Sequence, residues 1–293
     1  AQDTAGPLAR CVADAAHLLT ALAGPDPGDP ATAAAAGQAA DYAAFLDPGA
    51  LAGARLGVWR DGSRAAGQAT NAVLEAALAT ARAAGAQVVD PVELPGAAEV
   101  YGPEYIALLH EFRRDLNAYL ATLPGSHPRT LAGLIAFNEQ HASRVLSRFG
   151  QEIFEQAEAT SGDPAGEEAA SARADAARRA TEALDGPLAA HRLDAIVALT
   201  SCPAWLTDYV LGDHDVFHTS GPAAVAGYPA VSVPAGSVAG LPVGLTFMGP
   251  AWSEPRLIGL AHAFEQALGL RLVPGLAASC APPAGAGAAA GRR

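Results

Sequence analysis

Five short apolar runs, set between much longer stretches with helical spacing, constrain this chain more than any other feature. They are ARLGVW at 54–59, Gln87 to Asp90, LDAIVAL at 193–199, YPAVSVP at 228–234 and LPVGLTFM at 241–248. Each is rich in residues that suit a pleated surface, and Gly, Pro or polar residues bound them. Strands that alternate with helices predict an α/β protein: a mixed sheet with helices on both faces.

The helical segments fill the intervals. Leu8, Cys11, Val12, Ala15, Leu18, Leu19 and Leu22 mark one face of an opening helix, with Pro7 in its first turn and Gly24–Pro25 ending it. Residues 25–50 are rich in Pro, Gly and Ala and read as an irregular connection. Thr70 is positioned to cap a helix carrying Val73, Leu74, Ala77, Leu78 and Ala81, which Gly85 closes. With strands on either side this is a strand–helix–strand unit, and a parallel pairing requires a right-handed crossover. From 98 to 190 the pattern is helical. Tyr101, Tyr105, Leu108, Phe112, Leu116 and Tyr119 recur every three or four residues, which places Tyr101 and Tyr105 in the core. The Ala-, Glu- and Arg-rich stretch 164–190 predicts a long, solvent-exposed helix laced with charge pairs. Ser253 caps a last helix with Leu257, Leu260, Ala261, Phe264 and Leu268 on one side. Residues 281–293 read as a disordered tail.

Charge and composition exclude several classes of partner. The net charge of −12 opposes nucleic acid and anionic membranes. No apolar run is long enough to span a bilayer and no signal segment opens the chain, so a cytoplasmic protein is expected. All 18 basic residues are Arg. Without Lys, no Lys-dependent mechanism is open to the chain. Cys11, Cys202 and Cys280 are too few and too scattered for a disulfide framework or a zinc site. Cys11 falls on the helical stripe as a buried thiol. Cys202 is the one cysteine in a position to act as a nucleophile, but no base is evident beside it.

The loop after the run at 193–199 concentrates the remaining chemistry. Asp213, His214, Asp215 and His218 have ligand chemistry, but Gly212, Val216 and Phe217 mark a loop rather than a rigid element, so no metal is expected. Ser220, His218 and Asp208 could in principle form a nucleophilic set, as could many such combinations in a chain with eight His. Trp205, Asp208, Tyr209, Asp213 and Ser220 combine aromatic surface with hydrogen-bonding groups where α/β sheets place ligands. They read either as a pocket wall or as a surface loop anchored by a buried Trp. His110, Asn138 and His141 read as satisfied polar residues between packed helices.

Several stretches resemble the amidase-signature family. QDTAGPLARCVADAAHLLTALAG is similar to the segment after that family's serine loop. AVAGYPAVSVPAG, LPVGLTFMG and WSEPRLIGLAHAFEQAL are similar to its closing module. EFRRDLNAYL, LIAFNEQH and FGQEIFEQA are similar to a peptide-amidase-like branch. The resemblance implies hydrolysis of linear carboxamides, peptide amides among them, by a Ser–cis-Ser–Lys triad with no cofactor. It also implies an incomplete amidase fold, with residues 1–280 as the C-terminal portion of the domain and the triad in an upstream segment. No residue here takes the triad's roles, because Lys and the serine loops are missing. The expectation is therefore a fragment inactive alone, and one prone to aggregate because its apolar faces lack partners. The alternatives are a non-catalytic scaffold, one chain of a split amidase and an amidotransferase subunit.

Overall fold

The computed structural model describes residue 2 and residues 4–273; the tail expected at 281–293 and Cys280 lie outside the described residues. Among the described residues a five-stranded mixed sheet organises the chain. Its strands are β1 (Arg55–Trp59), β2 (Gln87–Val92), β3 (Ala195–Leu199), β4 (Ala230–Val238) and β5 (Leu241–Met248). The order is β2-β1-β3-β5-β4. β1 runs parallel to both β2 and β3, while β5 is antiparallel to β3 and β4.

The run AIVAL explains why β3 sits at the centre. Successive side chains of a strand point to opposite faces, so a wholly apolar strand must be covered on both. Ala195, Val197 and Leu199 enter one core and Ile196 and Ala198 the other. The first core also takes Leu56 and Val58 of β1 and Leu245 and Phe247 of β5. Against it pack α1 (Val12–Leu22), α3 (Gln68–Ala83), which follows the short α2 (Asp61–Ala65), and α10 (Glu254–Leu268).

The second core takes Trp59 and Met248 from the sheet. It is covered by Ala183, Leu184 and Leu188 of α8 (Glu167–Ala190) and Ala223 of α9 (Gly221–Ala226). Each large side chain buried in these layers contributes about 1.5–3 kcal/mol. Between β2 and α8 lie α4 (Tyr101–Thr122), α5 (Leu131–Gln140), α6 (Ala142–Val145) and α7 (Glu152–Ala159), with α4 packed along α8.

Several elements differ from the sequence reading. The opening helix starts at Val12, with the Cys11 sulfur accepting from the Asp14 N–H at 3.5 Å. Leu8 therefore lies outside the helix and is 94% exposed, Leu18 and Leu22 are exposed, and the helix docks through Val12 and Ala16. Cys11 is half-buried at the cap rather than on a stripe. Thr70 is a buried residue inside α3, whose cap is Gly67. Residues 25–50 are partly ordered: Asp29 and Asp41 accept from the N–H groups of Ala31 and Ala43, starting 3-10 turns at Pro30–Ala35 and Tyr42–Phe45. Tyr101 and Tyr105 are exposed, because α4 turns Ala107, His110, Glu111 and Leu120 inward instead. Nor is α8 a solvent-exposed helix. Ala169, Ala176, Ala180 and Ala183 are buried, since their small side chains let it lie close against α4 and the sheet, while Arg178 pairs outward with Asp175 and Glu182.

Candidate active site

Three parallel strands end on the same side of the sheet, which is where open α/β sheets hold ligands. A cleft of about 360 Å³ lies there. β1 contributes Trp59 as its last residue, and α2 contributes its first residue, Asp61. Glu93 and Leu94 come directly after β2, Tyr101 opens α4, and His218 precedes α9. Arg64 bridges two of the carboxylates, at 2.7 Å from Asp61 and 3.1 Å from Glu93. The Tyr101 and His218 rings meet edge to face, with centroids 6.2 Å apart. Partial desolvation of the otherwise exposed Tyr101 ring pushes its phenol up from the usual value, and the nearby charges of Glu104 and Asp215 add to this. Gly221 makes the approach possible: a Cβ there would stand 2.8 Å from the Tyr101 hydroxyl.

The 200–220 loop leaves β3 and is pinned at its base. Ser201 and His218 form an antiparallel bridge, the Cys202 N–H donates to the Phe217 carbonyl at 3.2 Å, and the Thr219 hydroxyl donates to the Leu199 carbonyl at 3.0 Å. Farther out, the Asp208 carboxylate accepts from the N–H groups of Val210 at 2.8 Å and Leu211 at 3.0 Å. His214 Nε2 approaches it at 3.4 Å. These three contacts hold the Asp208 carboxyl below the usual carboxylate range. Trp205 Nε1 donates to Asp213 at 3.2 Å. The Tyr209 ring lies under the Arg148 guanidinium at 4.4 Å and beside Phe149 at 5.8 Å, which ties the loop to the helical arm.

The residues singled out in the sequence thus fall into separate small groups. Trp205, Asp208, Tyr209, Asp213 and Ser220 all lie on the loop or at its end, but none lines the cleft, to which this stretch contributes His218. Trp205 is exposed rather than a buried anchor. Ser220, His218 and Asp208 are not assembled, since His218 pairs with Asp215 at 3.3 Å and Asp208 with His214. Among the described residues no group of three His, Cys, Asp or Glu side chains is gathered to hold a metal ion. Cys202 is buried with its sulfur 3.7 Å from the His214 carbonyl oxygen. Asn138 donates to Gln151 at 3.0 Å and His141 stacks on Phe137. Sequence reasoning missed Trp59, Asp61 and Glu93, although Trp59 ends a run already read as a strand and Asp61 and Glu93 follow such runs within three residues.

A mixed α/β sheet with a polar, aromatic-walled cleft at the ends of its parallel strands places the chain among the ligand-binding α/β folds. The particular family follows from comparison with known proteins. Residues 1–258 match the Amidase family, and the chain belongs to it. An Arabidopsis thaliana protein named as a probable amidase is 37% identical over 281 residues, covering 93% of this chain and 50% of its own length. A glutamyl-tRNA(Gln) amidotransferase subunit from Rubrobacter xylanophilus is 35% identical over 286 residues, covering 92% of this chain and 56% of its own. The crystal structure of the peptide amidase PAM, in complex with the competitive inhibitor chymostatin, superimposes with a TM-score of 0.87. It is 46% identical, with 94% of this chain and 56% of that one covered. The chain therefore spans about half the length of the relatives it matches. Among the described residues no helix is long and apolar enough to cross a membrane.

Proposed function

We propose that this chain is the C-terminal portion of an amidase that hydrolyses linear carboxamides, with peptide amides as the substrate class. The 46% identity to a peptide amidase across nearly the whole chain is the observation that carries this reading. In it, the cleft between Trp59, Glu93, Tyr101 and His218 forms part of the substrate wall. The tethered 200–220 loop borders it through His218, and Trp205, Asp208, Tyr209, Asp213 and Ser220 supply aromatic and hydrogen-bonding surface outside the cleft itself, toward the rest of the substrate. The triad implied by the family requires a Lys, and all 18 basic residues here are Arg. Arg is no substitute, because its guanidinium does not deprotonate near neutral pH. The catalytic groups accordingly come from outside this chain, in the same polypeptide or a partner, and no cofactor takes part. The −12 charge favours this reading over an amidotransferase working on tRNA.

Calorimetric titration with an N-acetylated dipeptide amide tests the wall. Saturable binding, weakened by Tyr101→Ala, is expected. No heat at millimolar peptide, or binding indifferent to Tyr101→Ala and His218→Ala, would remove the cleft from the site.

A further inference from the structure

The seam between α4 and α8, away from the cleft, holds a second group of chemically active side chains. His110 of α4 is buried. Its Nδ1 lies 3.2 Å from the Ser161 Oγ and its Nε2 lies 3.4 Å from a Glu168 carboxylate oxygen. Hydroxyl, imidazole and carboxylate thus stand in the order that lets a base take the hydroxyl proton while a nearby negative charge favours the imidazolium that forms.

The turn carrying Ser161 joins α7 to α8, and the serine is exposed. Its oxygen accepts from the Asp163 N–H at 3.2 Å, which leaves the hydroxyl proton free for His110. The next residue, Gly162, has a φ of +65°, and a Cβ there would stand 3.0 Å from the Arg113 Cδ and 3.6 Å from its Nε. Arg113 is held in place by Glu158 at 2.8 Å and by the Thr160 carbonyl. Its guanidinium is taken up by those two acceptors, and so braces the turn that presents Ser161. A groove of about 780 Å³ runs along both helices past Pro103, Ile106 and Ser171, and Glu168 is the member of the three that lines it. Pro103 and Ile106 offer it apolar surface, and Glu167 and Asp175 disfavour anionic ligands.

We propose that Ser161, His110 and Glu168 form a second acyl-transfer centre, independent of the amidase reading, which cleaves small uncharged esters with an apolar acyl group. The Ser161 Oγ attacks the ester carbonyl carbon and forms the new C–O bond as its proton passes to His110 Nδ1. Collapse of the tetrahedral adduct breaks the bond to the alkoxy oxygen, which leaves as alcohol with that proton. Water then attacks the acyl-serine and gives a proton to His110. The carboxylic acid departs and Ser161 recovers its proton.

The test is to treat the full chain with a fluorophosphonate, map the adduct by mass spectrometry, and measure the p-nitrophenyl butyrate burst in parallel. One adduct on Ser161 and a matching burst are expected, both abolished in Ser161→Ala. His110→Gln should slow labelling ~10²–10⁴-fold, the range for loss of a general base, and Glu168→Gln several-fold. His110 is buried, so its variant is read only if its melting curve matches the parent. Ser161 is exposed, and its variant carries the test alone if His110→Gln does not fold. No adduct, an adduct on another residue, or a burst that survives in Ser161→Ala would overturn the proposal. A labelled Ser161 with an unchanged rate in Glu168→Gln would overturn the part given to Glu168.

Discussion

Truncating Phe264 to Ala removes the largest side chain by which α10 seals the first core. The ring is fully buried and meets Phe247 edge to face, with centroids 5.8 Å apart at 61°. Deleting a buried phenyl group costs about 3–5 kcal/mol in transfer free energy and residual cavity. About 0.5–1.5 kcal/mol of that belongs to the aromatic pair. Against a total stability of about 5–15 kcal/mol, the variant loses a large share of its margin. Leu8→Ala is the control: its side chain is 94% exposed, so the change should stay within about 0.5 kcal/mol. Urea unfolding of the parent and both variants, followed by far-UV circular dichroism, gives the midpoints and slopes. In the chain co-expressed with an upstream amidase segment, which covers the faces expected to cause aggregation, a cooperative parent transition with a large loss only in Phe264→Ala is expected. A Phe264→Ala loss below about 1 kcal/mol, or an equal loss in Leu8→Ala, would refute the assignment of this core to α10.

Two further outcomes follow from the site. Asp208 has a carboxyl pKa lowered by the Leu211 and Val210 N–H groups and by His214. Its turn is therefore stabilised above the unfolded value of about 3.9 and loses that support as pH falls through a lower folded value. The Val210 and Leu211 amide resonances should titrate below about pH 3.9 in the parent and not in Asp208→Asn; a midpoint above that value would contradict the contacts. Gly221→Ala places a methyl 2.8 Å from the Tyr101 hydroxyl and should push that exposed ring off His218. Loss of the ring-current shift on the His218 protons, with a melting temperature near the parent's, is the expected result; an unchanged shift would mean the ring does not depend on the glycine.

The sheet was legible where local sequence carried its own evidence of burial. AIVAL could only be a strand covered on both faces, and Pro and Gly bracket β4 and β5 clearly. The opening helix was misjudged because Leu8, Leu18 and Leu22 share a helical spacing with Val12 but not its contacts. Periodicity shows a face without showing what lies opposite it. The same limit applies to α8, whose Ala residues look like spacers between charges until α4 and the sheet close on them. The cleft was hidden for a different reason. Trp59, Glu93, Tyr101 and His218 are scattered along the chain, and only the order β2-β1-β3 brings their strand ends together. The pairing of His110 with Ser161 depends likewise on how the helical arm folds back.

The proposed function divides the labour: this chain supplies substrate-facing surface, and a segment outside it supplies the catalytic groups of amide hydrolysis. Ammonia release from a peptide amide measures that directly, with the purified chain alone and with the chain co-expressed with the N-terminal half of a peptide amidase. No release alone and release on co-expression is the predicted result. Ammonia produced by the chain alone, and abolished by a substitution within it, would contradict the account.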